Sequence, residues 1–165
     1  MKSLSQEKIF ITILILFSIL VNQYYGSRGA FPVDSFIFFD SGYRILGGEV
    51  PFVDFWLVKG LLLDYMQALF FYIFGVNWHI YVLHASLMNA LVTISTFFVL
   101  KNFKLNIYLC FFYSLAVSIL AYPSSGTPFA DHHSAFFSLL GVYTLILGIK
   151  NLQILQNGKA LLQKS

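Results

Sequence analysis

Four long apolar stretches run along the chain, at residues 9–25, 79–100, 105–122 and 133–149, each bounded by polar or turn-forming residues. A bilayer-spanning helix needs about 20 mainly apolar residues, within a range of roughly 17 to 25. Each stretch therefore predicts one crossing, the first and last extending by about a turn into their flanks. The first follows Lys2 and Lys8, as a secretory leader would. Its core is followed by Asn22, Gln23, Tyr24 and Tyr25 instead of a small-residue cleavage site, which predicts a retained helix.

A fifth apolar stretch, residues 60–75, carries Asp64 and Gln67 inside it. The lysines decide whether it crosses. With Lys2 and Lys8 inside, five crossings would put Lys101, Lys104, Lys150, Lys159 and Lys164 outside, whereas four crossings place all of them inside. Four crossings are expected, with both termini cytoplasmic in a bacterial-type inner (plasma) membrane. Residues 60–75 then stay on the outer side, lying in the interface or dipping in re-entrantly. Asp64 and Gln67, three apart, share one helical face, leaving Leu63, Phe70 and Phe74 for another. An Asp at bilayer depth costs at least a few kcal/mol unless paired.

A second amphipathic helix is expected upstream, starting near Pro32 and Asp34 and ending at Gly47–Gly48. Phe36, Phe39, Tyr43 and Leu46 form its apolar stripe, and Asp40 and Arg44 are spaced for an exposed ion pair. Glu49-Val50-Pro51-Phe52 then reads as an extended turn leading to Asp54 and Lys59. The fold class is all-α integral membrane, with about four transmembrane helices plus two periplasmic juxtamembrane amphipathic helices. The membrane domain covers residues 1–150, with an outer loop at 26–78, and residues 151–165 form a cytoplasmic tail.

Composition agrees. Hydrophobic residues make up 58% and charged residues 10% of the 165, against about 25% charged in a soluble domain. So few charges cannot cover a water-facing surface, so lipid is the expected partner. The 19% of aromatic residues suits the headgroup zone. A net charge of +3 with no basic cluster or stripe argues against a nucleic-acid partner. Cys110, the single cysteine, lies in an apolar run and reads as a small buried or lipid-facing residue. Six of the seven acids fall on the outer side (Asp34, Asp40, Glu49, Asp54, Asp64 and Asp131), with Glu7 alone inside. Any chemistry is expected on the outer face.

The outer loop reads VDSFIFFDSGYRILGGEVPFVDFWLVKG. Asp34, Gly42, Gly48, Glu49, Pro51, Asp54 and Lys59 stand where matching residues occur in the first outer loop of the GT-C glycosyltransferases, and the loop resembles theirs. These polytopic enzymes use polyprenyl-phosphate sugars and include protein O-mannosyltransferases and lipid A aminoarabinose transferases. The stretch ending in Phe74-Gly75 resembles their juxtamembrane helix. Asp131-His132-His133 resembles the D-x-H motif that oligosaccharyltransferases of this superfamily carry after the third span. The chain departs from the family at Ser35, where an acid is common, and at Gly60 and Leu61, which follow the Lys in place of Pro. It matches only the N-terminal half of such an enzyme.

The resemblance implies a catalytic role for Asp34 as base or cation contact, and substrate binding by Asp54 and Lys59, Lys59 on the donor phosphate. Asp131 and His133 would be ligands of a divalent cation, Mn or Mg. A second polypeptide could supply further spans. The chemistry suits these residue types: a carboxylate accepts the proton of the attacking hydroxyl, and positive charge meets the departing phosphate. Each residue also has a plainer role. Asp34 could cap a helix, Asp54 could end a turn, Lys59 could anchor at the interface, and Asp131 and His133 could cap the fourth span. His132 is expected to turn away, His79 and His84 to sit in helix–helix contacts, and Arg28 to anchor at headgroups. The competing class is a small non-catalytic membrane protein, such as a lipid-linked-sugar translocation or assembly subunit, or an inactive fragment.

Overall fold

A computed structural model describes residues 2–28, 35–57, 59–121 and 126–162, with side chains between residues 6 and 153. Among these residues the chain is all-helical: α1 Lys2–Gly26, α2 Ile37–Leu46, α3 Leu61–Phe74, α4 Trp78–Asn102, α5 Ile107–Leu120 and α6 Ala130–Leu162. Three stretches are long and apolar enough to cross a membrane, Gln6–Gly26, Trp78–Asn102 and Ala130–Gln153.

The packing is inverted relative to a water-soluble bundle. On α1, Leu14, Ser18, Asn22 and Gly26 turn inward at four-residue spacing, while Ile9, Ile13, Leu16 and Leu20 are exposed. On α5, Cys110, Ser114 and Ser118 are buried, and Leu109, Phe112, Tyr113 and Leu120 face out. Small and polar side chains let backbones approach and bond across helices, whereas lipid accepts the large apolar ones. This distribution marks a helical membrane protein. Cys110 sits at the α1–α4–α5 contact with Leu14 and Phe97, as a small buried residue.

α4 is the central helix, with 67% of its apolar window buried against 6% for α6. Two asparagines tie it to its neighbours. Asn89 Nδ2 donates to the Ser118 carbonyl at 2.9 Å and to that of Ser18 at 3.4 Å. Asn22 Nδ2 donates to Ser86 Oγ at 3.0 Å and to the Gly126 carbonyl at 2.9 Å.

Contacts at the two ends fix the helix directions. At one end Glu7 pairs with Lys101 at 2.5 Å and Gln6 donates to Tyr108 at 2.7 Å. At the other, Trp78 Nε1 donates to the Gly26 carbonyl at 2.7 Å, and Gly126 lies on Gly26. α1 and α4 are therefore antiparallel, and the chain from Ile107 to Gly126 returns from the Lys101 end to the Trp78 end. α5 itself has 14 residues, Ile107–Leu120. They span about 21 Å at 1.5 Å per residue, short of the roughly 30 Å hydrocarbon core. Within the expected span 105–122 the structure thus gives a short helix, and Gly126 lies against Gly26 of α1. Residues 151–162 continue α6 without a break.

α2 and α3 cap the Trp78 end. Two details differ from the sequence reading. α2 turns Phe38, Ser41 and Gly42 inward, with Tyr43 and Leu46 exposed. Its small face fits α3 closely: a Cβ on Gly42 would lie 2.8 Å from Gln67 Cγ. On α3, Asp64 and Gln67 are buried together with Leu63, Ala68 and Phe71, and Leu62, Tyr65, Leu69, Tyr72 and Ile73 face out. The polar face points into protein, because there it finds partners that lipid cannot offer.

Candidate functional site

Among the described residues, the buried polar side chains with titratable groups, Asp64, His84 and His133, gather at the Trp78 end. α3 meets α4 at Tyr81, His84 and the Ala85–Met88 turn, through Phe71, Gln67, Phe70 and Met66. Ser41 of α2 donates to Asp64 Oδ1. Gln67 Oε1 lies 2.9 Å from His84 Nδ1. Phe70 stacks on the His84 ring at 4.9 Å between centroids, and His133 of α6 meets the same ring edge-on, also at 4.9 Å. His133 Nδ1 lies 2.9 Å from the Phe129 carbonyl. Asp64, Gln67, His84 and His133 are each at most 1% exposed. A polar string thus joins α2, α3, α4 and α6 below the cap.

Among the described residues, Asp64 Oδ2, Gln67 Nε2 and His84 Nε2 have no hydrogen-bond partner. Burial pushes the Asp64 carboxyl above its ordinary value, and the Ser41 hydroxyl draws it partly back. A carboxylate held so deep favours its neutral form, which also donates.

The sequence-nominated residues fall around this string. Asp34 lies outside the described residues. Asp54 is exposed and its carboxylate accepts the Val50 N–H at 2.7 Å, closing a turn in which Phe52 N–H donates to the Phe55 carbonyl at 2.8 Å. Lys59 is half-buried and leads into Gly60. Between the start of α3 and the start of α6 opens a cleft of about 270 Å³, walled by Gly60–Leu63 on one side and Ala130, Ser134 and Phe137 on the other. Lys59 precedes one wall in sequence, and Asp131 follows Ala130 of the other without lining the cleft. Asp131 is exposed while His133 is buried, as expected for residues two apart on a helix, about 200° around the axis. The structure therefore brings His133 to His84 and leaves Asp131 at the rim. Among the described residues no three His, Cys, Asp or Glu side chains gather as a metal-holding group.

Arg44 pairs with Asp40 at 3.0 Å and Glu49 at 3.2 Å, so the expected pair becomes a three-charge surface network. His84 sits between helices as expected, whereas His79 is exposed. Arg28 lies over the Tyr24 ring at 4.8 Å. The linear sequence does not show Asp64, Gln67 and His84 as one group. The available signal was an ionisable residue in an apolar helix, which by default points inward to a partner.

No protein-family model, curated protein or solved structure matches this chain.

Proposed function

We propose that this chain is the N-terminal membrane portion of a GT-C-type glycosyltransferase, acting on a polyprenyl-phosphate sugar at the periplasmic face. The observation that supports this best is the apolar cleft between α3 and α6, with Lys59 next to one wall in sequence and Asp131 next to Ala130 of the other. An isoprenoid tail suits the apolar walls, and a lysine ammonium suits the phosphate. In this reading Asp34 is the base or a cation contact, Asp131 a contact of a Mn or Mg ion, and Lys59 the phosphate contact. Asp54 shapes the substrate loop by closing its turn, and His133, on the other side of α6 from Asp131, packs against His84 of α4.

Reconstituted by itself, the chain should bind a polyprenyl-phosphate sugar weakly and consume none, because further spans must enclose the site. Lys59→Gln should weaken that binding about ten-fold, the usual worth of one charge-assisted contact. Absence of saturable binding, or binding indifferent to Lys59→Gln, would overturn the assignment. Turnover by the chain alone, lost in Asp34→Asn, would show that it is a sufficient enzyme.

The topology that goes with this reading has four crossings and cytoplasmic termini, the third containing α5. In a Cys110→Ala background, an impermeant thiol reagent applied to intact cells should label cysteines placed at Phe52 and Asn77 and spare one at Asn102. The reverse pattern would sink both the topology and the outer site.

A second reading, a non-catalytic assembly subunit, is favoured by the uncovered circumference of α6. Donor binding separates the two, since an assembly subunit has no need of the Lys59 ammonium.

A further inference from the structure

The Lys101 end, opposite the proposed donor cleft, carries a second cleft of about 350 Å³ between the end of α4 and the middle of α6. Phe103, Ile146 and Ile149 give it apolar walls, and Lys150 and Gln153 stand at its polar edge. The Lys150 ammonium donates to the Asn102 carbonyl, at the C-terminus of α4, and lies 5.0 Å above the Phe103 ring. Carbonyl and ring hold it in place without neutralising it. Glu7 is the only carboxylate side chain that the described residues place at this end, and it is engaged by Lys101 at 2.5 Å. Lys104, exposed in the turn between α4 and α5, adds a second charge without a carboxylate.

From this arrangement we infer that the α4–α6 cleft is a binding site for an anionic phospholipid of the bilayer. Its acyl chain lies along Ile146, Ile149 and Phe103, and its phosphate meets Lys150, with Gln153 as a further donor. Charge complementarity selects this occupant. The cleft opens where α4 and the apolar stretch Ala130–Gln153 of α6 both end, which suits the level of the headgroups, and an ammonium fixed beside apolar walls matches a phosphate carried on a hydrocarbon chain. A zwitterionic lipid offers the same chain, but its own cation offsets the attraction. A lysine kept at a helix end by a carbonyl and a ring is already ordered, so little side-chain freedom is lost when the phosphate arrives.

The test uses the full chain in nanodiscs containing equal amounts of phosphatidylglycerol and phosphatidylcholine, with retained lipids counted by native mass spectrometry. Phosphatidylglycerol should be enriched about five-fold on the protein, the factor for one lysine near the headgroup plane. Lys150→Gln should return retention to the bulk ratio, while Lys8→Gln, an exposed lysine on α1, should leave the enrichment in place. Ile146→Trp fills the cleft and keeps the charge, so it should also abolish enrichment, and it carries the test if Lys150→Gln does not fold. Equal retention of the two lipids by the wild type would overturn the inference. So would enrichment that survives both Lys150→Gln and Ile146→Trp, or that falls equally in Lys8→Gln, which would reflect diffuse charge rather than this cleft.

Discussion

Gly126→Ala is expected to destabilise the protein by about 3 kcal/mol or more, from left-handed backbone strain of about 1–3 kcal/mol and overpacking of similar size. Gly126 has φ +64°, a region that suits glycine. A Cβ there would also lie 2.3 Å from the Gly26 nitrogen, 2.4 Å from its Cα and 2.8 Å from the Asn22 carbonyl, all backbone atoms that cannot swing aside. The Asn22 bond to the Gly126 carbonyl, at 2.9 Å, would be lost as the segment lifts. Unfolding midpoints in mixed micelles measure the effect, and a variant within about 0.5 kcal/mol of wild type would show that the close approach is not a feature of the folded protein. Gly141→Ala and Gly148→Ala make the contrast. Both lie in α6 with nothing within 4 Å of the added carbon, so each should be neutral or stabilising by up to about 1 kcal/mol.

The second large effect concerns the polar string under the cap. Gln67→Leu should cost about 1–3 kcal/mol, because it removes the partner of His84 Nδ1 and leaves a buried imidazole nitrogen without one. Adding His84→Phe should recover part of that loss, since an apolar pair at the same place has nothing left unpaired. The cycle should give a coupling of about 1 kcal/mol or more. Additive single effects would mean that the two side chains do not share a bond.

Asp64 sets the pH dependence of the same region. Burial raises its carboxyl in the folded state above the ordinary value of 3.8, so the folded protein binds this proton more tightly than the unfolded chain. Stability from this group is therefore full at low pH. It falls as pH climbs above 3.8 and levels off once the folded-state value is passed. Asp64→Asn lacks the titration and still accepts from Ser41. Relative to this variant, the wild type should lose ground between pH 4 and pH 7, as read from the midpoints at both. A wild type that gains ground instead would mean that a buried partner favours the charged carboxylate, and the desolvation argument would fail.

Much of this protein is legible in the sequence because lipid imposes simple rules. Runs of apolar residues of bilayer length mark the helices near residues 9–25, 79–100 and 133–149, and few charges leave no other solvent for them. Local chemistry also sufficed for the end of α2 at Gly47–Gly48, for the Asp40–Arg44 pair and for a small buried role for Cys110. These depend on neighbours a few residues away, which a linear reading sees.

What the sequence could not give was direction. Periodicity puts Asp64 and Gln67 on one face of α3 but does not say whether that face meets water or protein. The answer lies in Ser41 and His84, 23 and 17 residues away along the chain. The same holds for Asp131 and His133, close in sequence yet split by the helix into rim and core. Likewise 105–122 reads as a full span by hydropathy, whereas the structure gives a 14-residue helix there and sets Gly126 against Gly26. Composition and period fixed which segments lie in lipid, because burial in a bilayer is a property of each segment alone. Tertiary structure alone decided which polar atoms meet, because a hydrogen bond needs two partners and the second is far away along the chain.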